Sequence, residues 1–171
     1  MLCGTLIGVV ALLMVAHLAL AGPPSWDTQI NEPSRFTVLN EFNDEAVLDK
    51  ETGLVWEQSP GERDRTATRV WRQAQRSCNT SIVGNRLGWR LSTIQELASL
   101  VDPTQSNPAL PSGHPFSNVQ LFQYWSATTD VGSNGNVAWF VNLASGAVSN
   151  GSKSNPLHVW CVRGGQGVDP Q

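Results

Sequence analysis

The 171-residue sequence predicts a single exported α+β domain, and three observations support this prediction. The chain opens with an apolar segment that lacks charged residues. Two amphipathic helices follow within residues 66–101, and short strands separated by Gly and Asn turns fill the remainder. The charged fraction of 15% is low for a cytosolic protein, in which about 25% is usual.

The N-terminal segment is predicted to be a signal peptide spanning residues 1–21. It contains no Asp, Glu, Lys or Arg, and Ala19-Leu20-Ala21 offers a cleavage site of the A-x-A type. An uncleaved membrane anchor is the alternative, since about 20 apolar residues can span a bilayer. Both interpretations place the rest of the chain in an oxidising location: the periplasm, the cell surface or the medium. Residues 22–34 are predicted as a linker, 35–165 as the folded domain and 166–171 as a tail.

Two cysteines remain once Cys3 is removed with the signal peptide. In an exported domain Cys78 and Cys161 most simply form a disulfide, which would stabilise the fold by roughly 4 kcal/mol. Two free buried thiols are the alternative. No C-x-x-C motif is present, so the sequence supports neither a redox motif nor a zinc site.

The first structural elements predicted after the linker are a hairpin and a helix. Short apolar runs at residues 46–48 and 54–56 flank a turn that contains Gly53. Residues 66–78 are then predicted to form an amphipathic helix whose apolar side includes Trp71 and Cys78. Four arginines lie within about 40° of one another on the opposite side of the helical wheel. These are Arg65, Arg69, Arg72 and Arg76.

A second helix is predicted to begin at Ser92 or Thr93. Thr93 and Glu96 have the spacing of a capping box, and Pro103 marks the end of the apolar periodicity. Residues 102–118 contain four Pro and predict a long irregular loop, which in a compact domain is usually functional or disordered. Alternating apolar residues after this loop predict antiparallel strands up to Arg163.

Several motifs occur in an order that resembles the Lcl C-terminal domain family over about residues 36–165. The motifs are Leu48-Asp49-x-x-Thr52-Gly53-Leu54-x-Trp56, Trp71-x-x-Ala74-x-x-x-Cys78, Gly88-Trp89-Arg90-Leu91-Ser92-Thr93, Asn107-Pro108-Ala109-Leu110, Tyr124-Trp125-Ser126 and Cys161-Val162-Arg163-Gly164-Gly165. Ser92 departs from the family, which usually has Pro at this position.

The resemblance implies a bacterial, exported domain with a C-type-lectin-like α+β fold. That fold would contain two helices, short antiparallel strands and one disulfide, with Cys78 and Cys161 joining the first helix to the last strand. The best-known use of the family is adhesion through sulfated glycosaminoglycans, which makes carbohydrate binding an expectation here.

The arginine-rich segment is the sharpest candidate site. Residues 63–90 contain seven Arg and one Asp, a net charge of +6, whereas the rest of the chain carries −9. Guanidinium groups suit sulfate and phosphate because each can donate two parallel hydrogen bonds. Arg65, Arg69, Arg72 and Arg76 are therefore predicted to bind a polyanion. The alternative is a solvated helix face that pairs with acidic residues elsewhere.

Trp125 is a second candidate, for stacking on a sugar ring, because it follows the long loop. The alternative role is core anchoring, which we expect for at least four of the six tryptophans that follow the linker. His114 and His158 are isolated, and no metal, cofactor or catalytic motif is recognisable.

The sequence therefore predicts an exported binding module for glycans or sulfated polyanions. A structural or assembly protein that binds an envelope protein is the alternative, and an enzyme without a recognisable catalytic motif is third. We expect no nucleic acid partner, and no membrane association once the signal peptide is removed.

Overall fold

The computed structural model describes residues 35–60 and 68–164. The predicted signal peptide of residues 1–21, the linker of 22–34, Arg65 and the tail of 166–171 lie outside these described residues. The strands are β1 (Phe36–Val38), β2 (Ala46–Asp49), β3 (Leu54–Glu57), β4 (Arg90–Leu91), β5 (Gln123–Thr129), β6 (Val137–Asn142), β7 (Ala147–Ser152) and β8 (Cys161–Arg163). The helices are α1 (Trp71–Asn79) and α2 (Ile94–Ala98).

The strands form two antiparallel sheets. The first has five strands in the order β1-β2-β3-β8-β4, and the second has three in the order β5-β6-β7. The last strand enters the first sheet between β3 and β4, where Val162 lies opposite Trp56 and Arg90. The predicted hairpin is confirmed as β2 and β3, and Gly53 in its turn has a φ of +70°, which glycine adopts without steric cost.

The first helix is shorter than its apolar periodicity predicts. It begins at Trp71 instead of residue 66, because the backbone groups of Arg69 exchange two hydrogen bonds with Leu157. Arg69 is therefore extended and cannot continue the helix. The capping box of α2 is confirmed: Thr93 Oγ1 accepts from the Glu96 amide, and the Glu96 carboxylate accepts from the Thr93 amide.

The predicted α+β, C-type-lectin-like fold class is wrong. Eight strands in two sheets dominate the described residues, while α1 and α2 have nine and five residues, which is too short for a separate helical layer. Nothing in the described structure supports a likeness to C-type lectins. The disulfide is confirmed between Cys78 and Cys161, with a Cα–Cα distance of 5.3 Å, and it joins α1 to β8.

The three-stranded sheet lies between two apolar clusters. On one face Ala138 and Trp125 pack with Ala74 and Cys78 of α1. On the other face Tyr124 and Val141 pack with Leu97 of α2, the pair Trp56 and Trp160, and residues from the irregular loop. No helix within residues 35–60 and 68–164 is long and apolar enough to cross a membrane.

Candidate functional site

The beginning of α1 is held against the three-stranded sheet by hydrogen bonds from two tryptophans. The indole Nε1 of Trp125 donates to the Arg69 carbonyl at 3.0 Å, and Nε1 of Trp71 donates to the Ser126 carbonyl at 2.8 Å. The Trp71 amide also donates to the Lys153 carbonyl at 3.1 Å. These contacts are long-range in sequence, so they fix the helix relative to the sheet.

The end of α1 is fixed by the disulfide. Cys78 is fully buried and Cys161 is 4% exposed, so the bond lies inside the core. Ala74, one turn before Cys78, is also fully buried. The helix is thus held at both ends with one face inward, and its remaining side chains are directed to the surface.

The outer side of α1 contains a shallow polar depression of about 400 Å³. It is lined by side chains that carry hydrogen-bond donors: Arg69, Gln73, Arg76, Ser77 and Thr80. The Thr80 hydroxyl is directed to the Arg76 carbonyl at 2.9 Å, which closes the last turn of the helix. The depression therefore combines two cationic groups with neutral polar groups. We call these five residues, together with Arg72, the α1 surface.

The structure brings together only part of the predicted arginine set. Arg69 and Arg76 line the same depression, although Arg69 precedes the helix. Arg72 is exposed one turn before Arg76 and lies outside the depression, while Arg65 falls outside the described residues. Within the described part of the chain, the guanidinium groups of Arg72 and Arg76 form neither an ion pair nor a hydrogen bond.

Lys153 adds a cation beside the α1 surface that the sequence did not indicate. Its Nζ lies 3.8 Å from the ring centroid of Trp71 and donates to Thr129 Oγ1 at 2.8 Å. No local pattern connects residue 153 with α1, because the contact depends on sheet topology. Gln73, Ser77 and Thr80, in contrast, recur at helical spacing, so the sequence did contain a signal for them.

Trp125 has no surface on which to stack a sugar ring. It is fully buried, and its indole N–H is committed to the Arg69 carbonyl. The sugar-stacking prediction for Trp125 is therefore wrong, because the strand that follows the loop turns this side chain into the core. The expectation that at least four tryptophans anchor the core is confirmed by Trp56, Trp89, Trp125 and Trp160.

The two histidines of the described chain lie away from the α1 surface and are partly buried. Burial lowers the pKa of His114 and of His158, and each ring packs against aromatic neighbours, Phe116 and Phe122 respectively. In the part of the chain that the structure describes, no three His, Cys, Asp or Glu side chains are close enough to hold a metal ion. The chemistry available at the α1 surface is the hydrogen bonding and charge pairing of an anion.

No curated protein matches the sequence. A family model described as the Lcl C-terminal domain matches residues 45–163, which is more than half of the chain and includes the disulfide and the α1 surface. The chain therefore belongs to the Lcl C-terminal domain family, as the order of its motifs indicated.

Proposed function

We propose that the protein is an exported binding module that recognises polyanions, with sulfated glycans as the ligand class, through the α1 surface. The observation that carries this proposal is the state of two arginines. Arg72 and Arg76 are exposed on a helix fixed at both ends, and no described residue pairs with either guanidinium group.

An arginine that forms no ion pair with a carboxylate can direct its hydrogen-bond donors to a sulfate or phosphate group. A guanidinium group donates two parallel hydrogen bonds to such an anion, and the neutral donors of Gln73 and Ser77 extend this pattern along the helix. The helix itself contains no Asp or Glu. The alternative of a solvated face paired with acidic residues finds no such residue for Arg72 or Arg76 within the described ranges.

Binding through this surface is expected to be weak and sensitive to salt. The whole chain has a formal net charge of −3, which reduces long-range attraction to a polyanion. Attraction then depends on the local charges of Arg72, Arg76 and Lys153, and exposed charges are screened over about 10 Å at 0.1 M salt.

Two features support export as part of the proposal. The disulfide is of a kind that persists in oxidising compartments, and the sequence of residues 1–21 predicts a signal peptide. A periplasmic or cell-surface location would bring the α1 surface into contact with envelope or host polysaccharides.

Retention on immobilised heparin at low salt tests the proposal. We expect wild type to be retained, and the variant Arg72→Ala/Arg76→Ala to bind about tenfold more weakly, since two exposed contacts of about 0.7 kcal/mol each are lost. Lys50→Ala is the matched control, because Lys50 is an exposed cation in the β2–β3 turn, away from α1.

Two outcomes would contradict polyanion binding at this surface. One is the absence of retention at low salt, and the other is identical elution of wild type and the double variant. Either result, together with co-purification of a specific envelope protein, would favour the alternative of an assembly partner.

A further inference from the structure

Strand β7 is an exposed sheet edge without the features that usually protect one. Five of its six residues are exposed, and only Gly151 is half-buried. The strand has no charged residue and no Pro, and no bulge interrupts its pairing with β6. Natural proteins commonly place Lys, Pro or a bulge on such an edge to prevent pairing with another chain.

The backbone of β7 directs hydrogen-bonding groups outward. The Lys153 amide donates to the Asn136 carbonyl at 2.9 Å, so residues 136 and 153 form a bonded antiparallel pair. Because bonded pairs alternate along an antiparallel ladder, residues 147, 149 and 151 face β6, whereas Val148, Asn150 and Ser152 face away from it. The backbone groups of Val148 and Asn150 have no backbone partner in residues 35–60 or 68–164.

The other sheet edges are shorter or covered. β1 has three residues and β4 has two. The outer edge of β5 is closed by His158, whose amide donates to the Gln123 carbonyl and whose carbonyl accepts from the Trp125 amide, each at 3.0 Å. Within the described chain, β7 is thus the longest edge that remains available for pairing.

The occupant of this edge must be another β-strand. Alternating N–H and C=O groups at a two-residue repeat match the backbone of an extended polypeptide, and this is the basis of β-strand addition. A second copy of the chain offers a fitting strand, because the outward residues are arranged symmetrically about Asn150. A two-fold axis at Asn150 pairs Asn150 with the same residue of the other copy and Val148 of one copy with Ser152 of the other. The Ser152 carbonyl already accepts from the Asn155 amide at 2.9 Å, so the bonds expected are the two of the Asn150 pair and those from each Ser152 amide to the Val148 carbonyl. The absence of charge in β7 avoids like-charge repulsion across the axis.

We propose that the protein self-associates through antiparallel pairing of β7 with β7 of a second copy. Pairing joins two three-stranded sheets into one sheet of six strands. The axis is perpendicular to the sheet, so both copies present α1 on the same face. Since the Lys153 carbonyl contacts the start of α1, the two helices begin about 20 Å apart, the length of six strand residues.

Sedimentation equilibrium over a wide concentration range measures the association directly. We expect a weak, reversible dimer, because a single edge pair buries less area than about 1,200 Å². Asn150→Pro removes the outward N–H and should raise the dimer dissociation constant at least tenfold, since symmetry removes two hydrogen bonds at the axis. Asn150→Ser is the matched control: both variants lose the side-chain bond to Asp130, but only Pro lacks the N–H.

A monomer at every concentration, or a dimer that Asn150→Pro does not weaken, would overturn the proposal. Cross-linking gives a second measurement that does not depend on the proline variant folding. With Asn150→Cys in a Cys3→Ser background, the Cα atoms of the two substituted positions would lie about 5.5 Å apart across the axis. The two introduced thiols should then react with a short bifunctional thiol reagent.

Val148→Cys is the control for register. The two substituted positions would lie about 14 Å apart in the proposed pairing, four strand residues from each other, and should cross-link much more slowly. Equal reaction of both variants would show that a different surface pairs. The measurements use no polyanion, so their result is independent of the proposed ligand.

Discussion

The two short helices lie on opposite faces of the same three-stranded sheet, and their arginines have different environments. Beside α2, the Arg90 guanidinium donates to both carboxylate oxygens of Glu96 at 2.7 and 2.6 Å and to the Gly164 carbonyl at 2.7 Å. On α1, Arg72 and Arg76 are exposed, and no described residue pairs with them.

The helix ends differ in the same way. α2 begins with a capping box and an acidic first turn, so its end is satisfied by its own sequence. α1 has no side-chain cap and no acid in its first turn, and it depends on distant strands and on the disulfide for its position. The comparison shows how arginine can stabilise the fold at one position, as Arg90 does, and remain without a partner among the described residues at others, as Arg72 and Arg76 do.

The largest expected effect on stability follows from removal of the disulfide that joins α1 to β8. Replacing Cys78 and Cys161 with Ala should lower the free energy of unfolding by about 4–5 kcal/mol, because the disulfide closes a loop of 83 residues. Chemical denaturation measures the loss. Hydrogen exchange should show greater loss of protection in α1 than in α2, and equal loss in both helices would contradict the tethering role.

The second-largest expected effect is the difference in unfolding free energy between variants of Arg90, which is paired, and Arg72, which is exposed. Arg90→Ala should cost about 2 kcal/mol in unfolding free energy, since it leaves a largely buried Glu96 carboxylate without its cation. Arg72→Ala is the matched comparison and should stay within about 0.5 kcal/mol of wild type. Urea titrations of both variants measure the difference, and similar destabilisation would mean that Arg72 also has a structural role.

The smallest effect is the pH dependence of the Arg90–Glu96 contact. Burial raises the pKa of Glu96, but hydrogen bonds from Arg90 and Thr93 and the charge of Arg90 outweigh it, so its pKa lies below the ordinary 4.5. The unfolded chain thus binds this proton more readily. The stabilisation is complete above about pH 4.5 and is lost as the pH falls through the lower pKa of the folded state.

Unfolding free energies of wild type and Arg90→Ala measured from neutral pH down to about pH 3 check this sign. The difference between the two proteins should shrink with acidification. A constant difference would mean that the ionised Glu96 does not contribute to the contact.

Local sequence signals predicted local structure well. The turn at Gly53, the capping box of Thr93 and Glu96, and the burial of four tryptophans follow from short patterns, and all are confirmed. The first helix was predicted to be too long because apolar helical spacing extends from residue 66, whereas the backbone of Arg69 pairs with Leu157 near the other end of the domain, which a helical wheel cannot show. The fold class was wrong because it rested on two full helices and on the family resemblance, whereas eight strands dominate the described residues.

The candidate site shows the same limit. Arg72 and Arg76 share a predicted face because they are one helical turn apart within α1. Arg69 joins that surface from an extended segment, and Lys153 reaches it from the end of β7. Trp125 was misjudged because its position after a long loop suggested exposure, whereas both faces of β5 are covered and Tyr124, Trp125 and Ser126 are all buried.

The buried disulfide also determines how the described chain would respond to mechanical force. A pull between Arg35 and Gly164 passes directly from Cys78 to Cys161, so the intervening residues, which include α2, β5, β6 and β7, carry no load. This loop would otherwise lengthen the chain by about 280 Å on full extension. Under the proposed function, in which an exported protein is held between an envelope and a ligand, the bond would limit stretching under shear to the short segments outside the loop.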